Sequence, residues 1–151
     1  TQGSFTGLAQ PDTVVVVAKY ATLMNTSDPY LIDGAGSTRQ IISGRYSNIS
    51  VWLFFAGTVV GGSASNTSAH LWLGYFNGAS SVGQIDGTQV STGNFGISNL
   101  DGMALFTNST FNFFASADIA FVGLFSGDVR TDPKWSDFKA YCLSHWGITV
   151  A

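Results

Sequence analysis

Asp118-Ile119-Ala120-Phe121-Val122-Gly123-Leu124-Phe125, together with the segment 133–148 that follows it, decides the fold class of this chain. After Asp118, the next seven residues are apolar, β-branched or small over the length of one strand, the composition of a strand with little solvent on either face. After Gly127-Asp128, Thr131 or Asp132 is placed to cap a helix, and Pro133 suits its first position, where no N–H is needed. Trp135, Phe138, Cys142 and His145/Trp146 then recur at intervals of three and four, one apolar stripe along one helix. Gly147 stands where a left-handed terminating residue belongs. Everything before this stretch reads as strand and turn.

Residues 13–20 (TVVVVAKY) form a β-branched run with no polar alternation until Lys19, hence a strand buried on both faces. Shorter strands are predicted at 30–32, 40–42, 49–55, 58–60, 70–76, 82–85, 89–90 and 103–106, with a flexible loop over 61–68 (GGSASNTS). In 49–55, Ile49, Val51, Leu53 and Phe55 share one face, and Ser50, Trp52 and Phe54 share the other. Asp33-Gly34, Asn77-Gly78, Asp86-Gly87 and Asp101-Gly102 separate these runs, and Asx-Gly is the best local signal for a tight turn. Many short strands with spaced turns predict an all-β antiparallel sandwich or jelly roll. The helix is expected to lie across it and cover an edge or an end.

The chain of 151 residues fits one domain, 1–151, and its first residue, Thr1, suggests a piece of a longer protein. Hydrophobic residues at 45% and aromatics at 14% exclude disorder. Charged residues are only 10% and the net charge is −3, so the polar surface is built from Ser, Thr, Asn and Gly. Six scattered Lys and Arg are a poor phosphate-binding set, and no nucleic-acid partner is expected. No run is long enough for a membrane span, and no membrane partner is expected. Cys142 is the single cysteine, which excludes an internal disulfide and a Cys-based zinc site.

Pro133-x-Trp135-x-x-Phe138-x-x-Tyr141-x-x-x-x-Trp146-Gly147-Ile148, preceded by Asp118-Ile119-Ala120, resembles the end of the laminin-G-like domains of the concanavalin A-like lectin/glucanase superfamily. The likeness is strongest to the compact form found on phage virion proteins and bacterial surface proteins. Gln10-Pro11 before the 13–18 run, Asp33-Gly34 and Ile85-Asp86-Gly87 resemble that family's opening strand and turn landmarks. Phe121 stands where a Glu is common, and Ala69-His70 where a Trp-His pair often opens the central strand. The resemblance implies a jelly-roll sandwich of two antiparallel sheets with one C-terminal capping helix. It also implies a lectin-like recognition role in a virion or extracellular protein such as a tail fibre, a spike or a capsid decoration.

Glycosidases of that superfamily use closely spaced carboxylates on one strand face, and this chain has neither Glu nor an Asp-x-Asp pair. Catalysis is therefore not expected, and Asp33, Asp86 and Asp101 read as turn formers; a glycoside hydrolase is the third reading, and it would need two Asp carboxylates roughly 5–9.5 Å apart in a cleft. His70 and His145 are too few for a triad or zinc site, no Gly-x-Ser-x-Gly elbow occurs, and no cofactor is expected. Asp28, Asp33, Asp86, Asp101 and Asp128 are loop carboxylates for a structural calcium that the resemblance leaves open. For sugar binding the candidates are Trp52 and Trp72, with Ser50 and His70 as same-face neighbours, if that face meets solvent; otherwise both Trp complete the core. Phe111, Phe113 and Phe114 are the candidate interface. The expected partners are a glycan or host cell surface. In a second reading the chain is a structural assembly module, with other virion proteins or further copies of itself as partners.

Overall fold

The computed structural model describes residues 2–3, 5, 7–23, 29–36, 38–45 and 50–151. Ile49 and Asp28 lie outside them. The described strands are β1 (Gln2–Gly3), β2 (Asp12–Tyr20), β3 (Tyr30–Asp33), β4 (Ile41–Ser43), β5 (Val51–Phe55), β6 (Val59–Ala64), β7 (Ala69–Phe76), β8 (Ser81–Ile85), β9 (Thr88–Gly93), β10 (Met103–Leu105) and β11 (Ala117–Ser126). One helix, α1, spans Trp135–Trp146. The strands make a six-stranded sheet in the order β1-β10-β3-β4-β5-β6 and a five-stranded sheet in the order β11-β2-β7-β8-β9. Every pairing is antiparallel, so the expected two-sheet sandwich with a C-terminal helix is the observed fold.

The β-branched run of β2 is the centre of both cores. Val14, Val16, Ala18 and Tyr20 point between the sheets, where they meet Trp52, Phe54, Trp72, Phe76 and Phe95. Val15 and Val17 point the other way and, with Leu71 and Leu73 of β7, form the floor on which α1 lies. Trp135, Phe138, Cys142 and Trp146 of the helix close that second core together with Phe121 and Phe125 of β11. Alternation thus fails in β2 because both of its faces are buried. His145 turns away from the sheet and stacks on Tyr141, with ring centroids 3.7 Å apart.

Three expectations are corrected here. The helix covers the outer face of the five-stranded sheet rather than an edge or end of the sandwich. It begins two residues after Pro133, because a 3-10 turn at Val129–Thr131, capped by the Asp128 side chain, comes first. Asp132 still caps locally, its carboxylate accepting the Lys134 N–H at 2.7 Å, and Gly147 ends the helix at φ 66° as expected. The predicted loop over 61–68 is instead strand as far as Ala64. Gly62 has a packing reason: a Cβ there would sit 3.1 Å from Val90 Cγ2, so β6 and β9 approach closely only because that side chain is missing.

The pairing register shifts once within each of β3, β6, β9 and β11. In β9 the extra residue is Val90, and in β11 it is Ala120.

Candidate functional site

The two inner sheet faces form the core and α1 covers the β11-β2-β7 part of the outer face of the five-stranded sheet, while the outer face of the six-stranded one carries a depression of its own. Strand alternation assigns its residues. Trp52 and Phe54 point inward, so Leu53 and Phe55 point outward; Ile41 pairs with Phe55, and Val59 with Phe55 on the other side. Together with Tyr30 and Arg39 these side chains line a depression of about 160 Å³.

Arg39 is the charged group of that depression, and it is held from two directions. Its Nε lies 3.1 Å from Asp33 Oδ1, and its guanidinium sits 6.0 Å from the centroid of the Phe55 ring. The Nε–Oδ1 contact is an ion pair without the linearity of a hydrogen bond, since Oδ1 has no hydrogen-bond partner. Asp33 is wholly buried, and its Oδ2 accepts the Ser109 N–H at 3.0 Å. Burial pushes the Asp33 carboxyl above its ordinary range; the Ser109 N–H and the Arg39 charge pull it back down less strongly. Asp33 was expected to be a turn former. It is instead the buried anchor of Arg39, six residues further on, a role that sequence pattern alone does not reveal.

The loop that supplies Ser109 also brings Phe113 edge-on to Tyr30, with centroids 5.6 Å apart. Phe111 and Phe114 stand out from it, 47% and 55% exposed. Two of the three predicted interface residues are therefore on the surface, and the third supports the wall of the depression.

The aromatic platform expected at Trp52 and Trp72 does not reach solvent. Trp52 is 2% and Trp72 0% exposed, and the two indoles meet edge to face at 5.4 Å between the sheets. His70 does join them, its ring 5.3 Å from Trp52 and 5.7 Å from Trp72, at the margin of the core. Its Nδ1 lies 2.6 Å from Asp86 Oδ2 and its Nε2 2.9 Å from Asn66 Oδ1. Ser50 contributes its carbonyl to the Ser65 N–H at 3.1 Å. Trp52, Trp72 and His70 are thus brought together as core and core margin, not as a flat surface for a sugar ring. Of the two readings the sequence left open for this face, the structure has the one in which both Trp complete the core.

Asp86 is a turn residue, as expected, at φ 52° beside Gly87 at φ 79°. It also fastens the turn, because its Oδ1 accepts the Leu71 N–H at 2.8 Å and its carbonyl the Ala151 N–H at 2.9 Å. Among the candidate calcium carboxylates, Asp33 takes Arg39, Asp86 takes His70, and Asp128 takes Arg130 at 2.7 Å. Among the described residues no three His, Cys, Asp or Glu side chains converge.

No protein-family model matches the chain, and no curated protein matches its sequence. Solved structures of similar fold include Trypanosoma rangeli sialidase, at a TM-score of 0.61 and 13% identity over 93% of this chain and 24% of that one. The same sialidase in complex with sialic acid aligns at a TM-score of 0.60 and 14% identity, over 93% of this chain and 24% of that one. CG-16, a homodimeric agglutinin from chicken liver, aligns at 0.51 and 11% identity over 82% of this chain and 98% of that one. The chain thus spans between a fifth and a quarter of the length of the sialidases it matches. The expectation that this chain is not an enzyme is corrected by those matches, since the sialidases are enzymes and one was captured as a covalent intermediate. At these identities the likeness is one of fold, a lectin-like antiparallel β-sandwich.

Proposed function

We propose that this chain is a carbohydrate-recognition module and that its glycan lies on the outer face of the six-stranded sheet, against Phe55 and Tyr30. One observation carries the reading: Arg39 is fixed between buried Asp33 and the Phe55 ring at the rim of a depression with apolar walls. A sugar needs flat apolar surface for its C–H face and a few immobile polar groups for its hydroxyls. Arg39 supplies guanidinium N–H donors beyond the Nε that faces Asp33, and its anchoring means that little side-chain freedom is lost on binding. The similar fold of an agglutinin, and of sialidase with sialic acid bound, supports a saccharide as the ligand class.

In its finer form the proposal makes this a laminin-G-like, concanavalin A-like module of a virion or extracellular protein, such as a tail fibre, spike or capsid decoration. The residues at the end of the chain and the surface of Ser, Thr, Asn and Gly with 10% charge support that setting. The test is a glycan array followed by titration calorimetry. Arg39→Ala and Phe55→Ala are each expected to weaken binding by at least tenfold, the loss of a charged hydrogen bond or of a stacked face being worth roughly 1.5 kcal/mol or more. A folded chain that binds no glycan, or binds equally well in both variants, overturns the proposal.

A further inference from the structure

The depression beside Arg39 is about 160 Å³, small against the roughly 300–1,000 Å³ of sites that enclose a drug-sized ligand. It has room for a single ring, and a single ring makes few contacts. Next to it stands a loop, 107–114, whose construction has no evident purpose in the core. Asn108 is buried and organises it: Oδ1 accepts the Asn112 N–H at 2.7 Å, Nδ2 donates to Thr110 Oγ1 at 2.7 Å, and the carbonyl accepts the Phe111 N–H at 3.1 Å. The base of the loop is closed by the Ala115 N–H on the Phe106 carbonyl at 2.7 Å. Phe106 and Phe111 hold φ at 62° and 58°, a backbone region bulky side chains rarely adopt and one that clusters at functional sites. The outcome of this bonding is that Phe111 and Phe114 are displayed to solvent.

The loop is also registered to the binding face. A single buried carboxylate, Asp33, takes Arg39 on one oxygen and the Ser109 N–H on the other, and Phe113 rests on Tyr30. From Gly102 to Ala117 there is no charged residue, so the loop offers phenyl faces amid hydroxyls and amides. That chemistry suits an uncharged polyhydroxylated ring and gives nothing to phosphate or to an anionic lipid surface. Rigid aromatic side chains bind with small entropy loss, the property used by recognition loops elsewhere.

Resting on the carbohydrate reading, we infer that Phe111 and Phe114 form an extension of the Arg39 site, and that the ligand is an oligosaccharide of two or more units rather than a monosaccharide. The first ring sits against Phe55 and Tyr30. The following rings stack on the loop.

Titration of the intact chain with gluco-, manno- and galacto-oligosaccharides of one to four units tests this, with neutral phosphatidylcholine vesicles as a separate probe. Affinity for the accepted series is expected to rise with length, roughly 2- to 10-fold for each ring that gains an aromatic face. Phe111→Ala and Phe114→Ala are expected to cost more affinity for the tetrasaccharide than for the monosaccharide, whereas Arg39→Ala lowers affinity at every length. Both Phe substitutions remove exposed side chains, and near-ultraviolet circular dichroism confirms that the fold is retained. Length-independent binding that Arg39→Ala abolishes overturns the extension and leaves the Arg39 site standing. Vesicle binding lost in either Phe variant, with no rise in saccharide affinity with length, assigns the loop to a membrane and also overturns it. No binding at any length overturns both.

Discussion

Asp12 gives the sharpest test of the energetics of this fold. It opens β2 wholly buried, and the Gln40 amide donates to its Oδ1 at 2.7 Å. Its Oδ2 and the Gln40 Oε1 are both buried without a partner. Burial pushes the Asp12 carboxyl from 3.8 up to about 7, and the bond from Gln40 opposes that shift more weakly. A folded-state pKa above the unfolded one means that the native state holds the proton more tightly. The associated stability is fully present below pH 3.8 and is lost as pH rises through about 7. A shift of about three units at about 1.36 kcal/mol each sets a ceiling of roughly 4 kcal/mol on the swing. Asp12→Asn keeps the shape, accepts from Gln40 Nε2 and offers an N–H toward Gln40 Oε1 at every pH. Urea unfolding of both proteins between pH 4 and 8 is expected to give near-equal stabilities at pH 4 and a variant more stable by as much as roughly 4 kcal/mol at pH 8. Asp33, also raised by burial, adds a slope of the same sign to both proteins, so the difference between them is the measurement. Parallel curves from pH 4 to 7 would refute the argument.

Two further outcomes test the remaining structure. Trp72→Ala removes a fully buried indole from the centre of the inner core, and a loss of about 3–5 kcal/mol is expected in chemical unfolding. A variant of unchanged stability would return Trp72 to the surface. At acid pH, the Arg130 hydrogen bond holds the Asp128 carboxyl below 3.8, so its contribution is present above pH 3.8 and lost as pH falls through the lowered folded value. Asp128→Asn should therefore cost about 1 kcal/mol near neutrality, this being a partly exposed pair, and progressively less as pH falls below 3.8, as read by thermal unfolding across that range.

The elements that sequence reading finds well are those whose pattern is decided locally. The 13–20 run, the strand 70–76, the helix stripe and the Gly147 terminator all follow from side chains within a few positions of one another, and each is observed. The binding face is a different matter. In β5 both alternating sets are apolar, Val51, Leu53 and Phe55 against Trp52 and Phe54, and period two separates the sets without saying which one faces the other sheet. Period two therefore left Trp52 either on a solvent-lined face or in the core, and burial shows the core. Phe55 was in view as part of an apolar face, and Tyr30 as part of a strand, but Arg39 appeared only as one of six scattered cations. Its partner Asp33 looked like any Asp before a Gly, because the turn explanation was sufficient without a contact. The one usable hint was that a buried acid costs several kcal/mol unless paired, so an Asp at the end of an apolar strand invites a search for its cation. The loop with Phe111 and Phe114 was legible as an oddity, and its internal bonding through Asn108 was not.

The register shifts in β6, β9 and β11 bear on how this chain keeps apart from its own copies. Each of these strands is the last in its sheet, with β1 at the fourth border only two residues long. An uncovered border of free N–H and C=O groups invites another chain to add a strand, and proteins usually deter it with lysines, prolines or inward charges. Neither β6 nor β9 contains a charged residue or a proline. A chain with 10% charged residues has few to place there. The extra residue in β6 and in β9 bends the hydrogen-bonding row out of line, so a straight neighbour meets at most three residues in register there before the row breaks, whereas β11 keeps six, from Phe121 to Ser126, beyond its bulge and carries Asp118 before it. Protection against β-aggregation is thus built from backbone geometry, which leaves the surface free to be nearly uncharged.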